Sequence, residues 1–425
     1  MVTTSRPVQT HTHSDQHQPQ VSDKVAVLLM GYGEVESYDD FANYNEQALN
    51  LLTAKFAPVP LWLYPPLAKL LAIFDLHEWS HQHGNFVSPH NAIFEAQRAG
   101  IEQNLQAKWG EKVKVFKAFN FCAPHLPEQV LAQVKAEGYS KILIYPLLVV
   151  DSIFTSGIAV EQVNNALTKL ADKADLSREH WVKGIRYIPS FFDRPDYIKL
   201  LAQQVIDNVE QKLAVAHLPS QTGILLMNHG CPHKAKGFTS GIDESQQMFE
   251  LVRKELMYRY PLISIGWLNH DTPMIEWTQP DVTTASKNLI DLGATALVYM
   301  PIGFATENHE TLLDVDHIIG SLRKKRPDVT YLRLDCVNDT PEFTAMAARW
   351  AEPLIQELLE EADMMVQPSL AEEVRGRIAQ EVHQHDGHHG HGEQSGHNHH
   401  GHGHDDHGNH NHHGHDHHDH GHHDH

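Results

Sequence analysis

With 425 residues and 41 % hydrophobic content, the chain is long enough for two domains with full cores. Its 54 acidic side chains outnumber 33 basic ones, giving a net charge of -21 with histidine neutral; this argues against a nucleic-acid surface and points to cations as partners. The three cysteines, Cys122, Cys231 and Cys336, have no C-x-x-C spacing and are too few for a four-thiolate iron–sulfur cluster, and no run of 18 apolar residues offers a membrane span.

Residues 1–24 read as a disordered segment without the apolar stretch of a secretory signal, so the expected location is the cytoplasm. From Val25 to Glu361 short apolar runs alternate with helix-period stretches, the pattern of βαβ units. The predicted strands are Val25–Met30, Lys114–Asn120, Lys141–Leu148, Gly223–Asn228, Ile263–Leu268, Ala296–Met300 and Val329–Leu334. An internal repeat organises them. VAVLLMGYG at Val25 echoes GILLMNHG at Gly223, and GYSKILIYP at Gly138 echoes GATALVYMP at Gly293. The expected fold class is therefore α/β, with two similar Rossmann-like halves whose parallel sheets face a central cleft, plus a disordered His-rich tail. The first half spans 25–170 and the second 171–362, with a C-terminal helix in the second and the crossover between the halves near Ala171 to Pro189.

Within the first half, PLWLYPPLAKLLAIFD carries Tyr64, Leu67, Leu70, Leu71, Ile73 and Phe74 on an apolar helix, read as core or as a greasy lip with scope for peripheral membrane contact. Ser152 and Thr155, in VVDSIFTSGI, put hydroxyls at a strand end, where they suit a carboxylate or phosphate.

The strongest chemistry lies where strands of the second half end. PIGFATENHETLLDVD brings His309, Glu310 and Asp314 to the C-terminal edge of a parallel sheet; a helix there puts Glu310 and Asp314 on one face, able to pass a cation or a proton. MNHGCPHKA places His229 at the end of another strand, opening on the same crevice, where an imidazole of near-neutral pKa serves as a general base.

Residues 363–382 read as a linker or short helix, and 383–425 as a His-rich metal-binding tail holding more than half of the 36 histidines. Its imidazoles, among them His388, His389, His399, His400, His412, His413, His417 and His418, alternate with Gly, Asp and Asn and suit Ni²⁺, Zn²⁺, Co²⁺ or Cu²⁺.

These motifs together resemble the ferrochelatases, which insert a divalent metal into a tetrapyrrole. Pro301, Phe304, Glu307, Glu310, Thr311 and Leu312 fit the family's C-terminal signature, with Asn308 where the family has a histidine and His309 one place later. Asn228, His229 and Pro232 fit its Ser-Ala-His-x-Leu-Pro frame. VAVLLMGYG with Tyr32, Ser88-Pro89 with Glu95 and Gln97, PSFFDRPDYI, and Trp277 with Pro280 extend the resemblance over roughly Val25 to Glu360. The resemblance implies catalytic roles for His229 and Glu310, a metal path through His229, Glu310, Asp314 and His309, and tetrapyrrole contacts at Tyr32 and Trp277, to which the hydroxyls of Ser152 and Thr155 would add anchors for a propionate. It implies a lyase of haem biosynthesis that uses Fe²⁺ as substrate and needs no prosthetic group. Asn308 and the tail keep open a cobalt or nickel chelatase for sirohydrochlorin or a related tetrapyrrole, and a non-catalytic metal store.

Overall fold

The computed structural model describes residues 24–361 except 54–59, 83, 153–154, 174–181, 183, 214, 233–239 and 271–275. The expected linker at 363–382 and the tail at 383–425, with its eight named histidines, lie outside the described residues. Contacts divide the chain into Met1–His383 and Gln384–His425, and every described residue belongs to the former.

Two four-stranded sheets organise this body. The first contains β1 (Val25–Gly31), β2 (Val113–Phe119), β3 (Lys141–Pro146) and β4 (Gly184–Tyr187) in the order β2-β1-β3-β4. The second contains β5 (Thr222–His229), β6 (Leu262–Leu268), β7 (Ala296–Met300) and β8 (Thr330–Arg333) in the order β6-β5-β7-β8. All strand pairs within the sheets are parallel, and the repeated sequences occupy equivalent places: β1 and β5 are central, with β3 and β7 beside them. The repeat's glycines, Gly138 and Gly293, take φ of +79° and +102°, a left-handed turn between a helix and the next strand that a side chain would oppose.

The helices in chain order are α1 (Phe41–Ala48), α2 (Tyr64–His77), α3 (His90–Trp109), α4 (Pro127–Ala136), α5 (Ser156–Lys173), α6 (Pro195–Lys212), α7 (Ile242–Leu256), α8 (Val282–Asp291), α9 (Val315–Lys325) and α10 (Pro341–Glu360). They cover both faces of each sheet, which is why the strands read as unbroken apolar runs rather than alternating ones. Along β1, Val25, Val27 and Leu29 enter a core shared with β5, β7, α6, α7 and α10, whereas Ala26, Leu28 and Met30 face α4 and α5. Leu225 and Met227 of β5 pack under α8 and α9.

Two expectations are corrected. The stretch 171–189 is not only a crossover: β4 lies in it and completes the first sheet, carrying that sheet past residue 170. The C-terminal helix, expected with the second half, packs on the first half instead. On α10, Lys108 meets Glu352 (2.6 Å) and Tyr145 OH donates to Ala347 O (3.1 Å), while Trp350 Nε1 donates to Asp196 Oδ2 (3.0 Å) on α6. Gln97 of α3 adds a second tie between the halves, donating to Ala305 O and Asn338 O at 3.0 Å each and accepting from Thr306 Oγ1 (2.9 Å). No described helix is long and apolar enough to cross a membrane. The apolar stretch before and along α2 is divided: Tyr64 and Ala68 are buried, while Trp62, Leu70, Ile73 and Phe74 are exposed.

Candidate active site

Three strands of the second sheet bring their C-terminal ends to one place, around the switch point between β5 and β7 where open parallel sheets hold ligands. His229 ends β5, His270 lies two residues beyond β6, and Glu310 begins a single π-helical turn, Glu310–Asp314, that leads into α9. Such turns recur at functional sites because they displace side chains from the regular helical spiral.

Contacts past the strand ends fix both imidazoles. Gly230 N–H donates to Leu268 O (2.8 Å), and Thr278 Oγ1 accepts from Cys231 N–H (3.0 Å) while donating to Cys231 O (2.9 Å). Asn269 Nδ2 donates to Thr278 O (2.9 Å). Gly230 leaves room for the Asn269 side chain here: a Cβ at 230 would displace Asn269 Oδ1.

The Nε2 atoms of His229 and His270 are 3.2 Å apart, and Glu310 Oε1 lies 3.5 Å from the first and 3.8 Å from the second. His229 Nδ1–H donates to Gly230 O (2.6 Å), which leaves Nε2 as its reactive nitrogen. The Glu310 side chain is 13 % exposed and that of His229 42 %, so the carboxylate forms the floor and the imidazole the wall. Glu310 Oε2 is buried without a hydrogen-bond partner among the described residues. The Trp277 ring stands 6.3 Å from His229 and 5.4 Å from His270, backing both.

Charge is organised around Glu310. Burial alone would raise its pKa, but His229 first, then His270 and His309, hold it well below the usual carboxylate range. Burial would lower His229; the Glu310 charge, their hydrogen bond and the Gly230 carbonyl together raise it above 6.5. Asp314 is pushed up to about 7 by burial, with Glu310 and Glu78 adding to the effect against His309, so it carries a proton near neutrality. Tyr32, just past β1, packs against Phe121 with ring centroids 5.1 Å apart and planes tilted by 43°; burial and the Glu310 charge both raise its hydroxyl, which puts it within electrostatic reach of the site.

His309 and Asn308 behave differently from expectation. Asn308 Oδ1 accepts from Thr311 N–H (2.9 Å) and Asn308 N–H donates to Thr311 Oγ1 (3.0 Å), a reciprocal cap on the turn that follows. His309, expected on the metal path, turns to the first half: its Nδ1–H donates to Glu34 Oε1 (2.6 Å), and Ser88 donates to the same carboxylate. Burial would lower His309, yet Glu34 pushes it up to about 10. The one group of three close metal-ligating atoms among the described residues is His229, His270 and Glu310; neither His309 nor Asp314 joins it.

Ser152 and Thr155 are engaged with each other. Ser152 N–H donates to Thr155 Oγ1 (2.9 Å), which donates to Val150 O (2.7 Å), so these hydroxyls build the turn into α5. His270 escaped the sequence reading. A signal was present, since MNHG closes β5 and LNHD runs out of β6, which puts an Asn-His pair at the end of one strand and just past the end of its neighbour.

The family profile described as Ferrochelatase matches residues 24–355. A protein named ferrochelatase from Synechococcus elongatus is 26 % identical over 332 residues, 75 % of this chain and 80 % of that one. Another so named, from Rippkaea orientalis, is 26 % identical over 349 residues, 79 % of this chain and 84 % of that one. Among solved structures, SirB from Bacillus subtilis with Fe3+ superposes with a TM-score of 0.42 at 11 % identity, covering 79 % of this chain and 96 % of that one.

Proposed function

Since the chain belongs to the ferrochelatase family, and is thus a metal chelatase acting on a tetrapyrrole, we propose that it inserts Fe²⁺ into a porphyrin for haem synthesis, with metal buffered by the His-rich tail. The observation that supports this most is His229 Nε2 facing Glu310 Oε1 at 3.5 Å at the open end of the second sheet. Insertion exchanges two pyrrole N–H protons for one divalent ion, so the site must offer a proton acceptor and a route for cation and protons at one spot. His229 presents Nε2 as the acceptor, because Nδ1 is committed to Gly230 O. Glu310, ionised across the physiological range, draws the cation in and stabilises the imidazolium left after proton transfer. Asp314, one turn further and poised near neutrality, passes the proton outward. Tyr32 and Trp277 flank the macrocycle. The metal is substrate in this reading, and no prosthetic group is invoked. The reaction is assigned to the cytoplasm.

Bending the macrocycle so that its nitrogens leave the plane is costly and is driven by binding energy from the rest of the ring, hence a cleft between two halves tied by Gln97 and α10. A second reading, a cobalt or nickel chelatase for sirohydrochlorin, is favoured by Asn308: its side chain caps a turn, so the position where the family has a histidine supplies no imidazole.

The test is insertion of Fe²⁺, Co²⁺, Ni²⁺ and Zn²⁺ into protoporphyrin, coproporphyrin and sirohydrochlorin, followed by visible absorption, for wild type and His229→Ala. Fe²⁺ turnover with a porphyrin, lost in His229→Ala by about 10²-fold or more, supports the proposal. Turnover only with Co²⁺ or Ni²⁺ on sirohydrochlorin selects the second reading, and near-normal turnover by His229→Ala removes that imidazole from the mechanism.

A further inference from the structure

We infer that His270 is a metal ligand, and that the entering cation waits on a three-donor face made by His229 Nε2, His270 Nε2 and Glu310 Oε1. The inference rests on the chelatase reading for its purpose, but on geometry for its content.

The three donor atoms form a triangle with edges of 3.2, 3.5 and 3.8 Å. A point equidistant from all three, in their plane, lies about 2.0 Å from each, which is the bond length of a first-row divalent ion to imidazole nitrogen or carboxylate oxygen, about 2.0–2.2 Å. Three protein donors leave such an ion further coordination positions for the nitrogens of an incoming macrocycle. Two imidazoles and one carboxylate suit Fe²⁺, Co²⁺, Ni²⁺ or Zn²⁺ and disfavour Ca²⁺ or Mg²⁺, which take oxygen ligands.

Independent features point the same way. Two imidazole nitrogens at 3.2 Å, with one carboxylate oxygen within 3.8 Å of both, converge on a single point as ligands to a common cation do. Glu310 Oε2, buried without a partner among the described residues, leaves the carboxylate a second oxygen for the same ion. Asn269 Nδ2 on Thr278 O, and glycine at 230, hold the His270 backbone against β5, so the face exists before metal arrives. With position 308 committed to a cap and His309 to Glu34, the second imidazole comes from the end of β6.

The arrangement also balances the exchange. As the macrocycle's nitrogens bind the ion, its bonds to the two imidazoles and to the Glu310 carboxylate break. Each freed Nε2 can then take one of the two displaced pyrrole protons, leaving metalloporphyrin and two imidazolium groups that lose their protons to solvent.

The experiment uses the full chain and Co²⁺ alone, comparing d–d absorption titrations of wild type, His270→Ala and Glu310→Gln. All three carry the same tail, so its contribution cancels in the difference. Loss of the same Co²⁺ equivalent in both variants supports the site; an unchanged spectrum and stoichiometry in His270→Ala overturns it. His270→Gln, which keeps size and polarity, serves if the alanine variant is unstable, with the same two outcomes. In metal-buffered insertion assays His270→Ala should raise the KM for metal about tenfold or more, with a much smaller change in KM for the tetrapyrrole; equal changes in both would mark a structural role and overturn the inference. If wild type inserts no metal into any tetrapyrrole while the Co²⁺ difference persists, the functional reading fails and the three-donor site stands.

Discussion

Replacing Glu34 by glutamine tests how the two halves are held at the cleft. Glu34, in the loop after β1, is almost fully buried and is reached across the cleft by His309 through Nδ1 (2.6 Å) and its backbone N–H (3.3 Å). Burial would raise the carboxyl, but His309 above all, with His90 and Ser88, holds it below 4.5. The amide preserves shape and removes the charge, so it leaves an imidazolium facing a neutral group. Breaking a buried pair costs about 3–5 kcal/mol; the partial exposure of His309 and the amide's remaining hydrogen bonds reduce this to about 2–3 kcal/mol. At about 2.1 cal/mol/K per residue over the folded body, that lowers Tm by about 3–5 °C.

The pH dependence supplies the sharper test. His309 has a folded pKa of about 10, above its ordinary 6.5, so its contribution is fully present below pH 6.5 and is lost as pH rises toward 10. Glu34 is lowered, so its contribution is present above about 4.5 and is lost as pH falls below that. The Tm gap between wild type and Glu34→Gln should therefore be widest at pH 5–6.5 and close by about pH 10, read by calorimetry on both full chains. A gap of constant size from pH 6 to 10, or none at pH 6, would refute the ion-pair account.

Three further outcomes are expected. Glu310→Gln should lower the His229 pKa, because the Glu310 charge is the main influence raising it; an NMR titration of the imidazole reads the shift, and insertion should fall by about 10²-fold or more. Asp314→Asn removes a group that ionises at about 7, so the limb of the rate–pH profile near 7 should disappear, and a retained limb would take Asp314 off the proton route. Gly230→Ala drives a methyl group into Asn269 Oδ1 and should displace His270, weakening Co²⁺ binding by about tenfold while the far-UV circular dichroism stays unchanged.

The parts legible in the sequence are those whose determinants are local. β1, β3, β5 and β7 are buried on both faces, so burial alone makes them continuous apolar runs, and the matching Gly and Pro positions betray the repeat. β4 is four residues of mixed character, Gly-Ile-Arg-Tyr, with three of them only half-buried; nothing in its composition separates it from a crossover. The apolar face of α10 announces a helix but not which half it covers, since that choice is made by partners such as Lys108 and Tyr145, more than 200 residues away in sequence.

The candidate site divides along the same line. His229 and Glu310 follow strands that the apolar pattern locates, so their meeting was readable from topology. The fates of Asn308 and His309 were not, because adjacent residues in a helical turn point about 100° apart, and the bond of Asn308 to Thr311 and the pull of Glu34 on His309 decide which side chain faces where. His270 is the instructive case. Parallel pairing of His229 with Leu268 means that an Asn-His pair at the end of one strand and just past the end of the other brings two imidazoles together through a two-residue offset, a relation that becomes visible only when register is considered. The imidazole absent at residue 308 thus has a counterpart on a neighbouring strand: His270 Nε2 lies 3.2 Å from His229 Nε2, where no motif read along a single segment would place it.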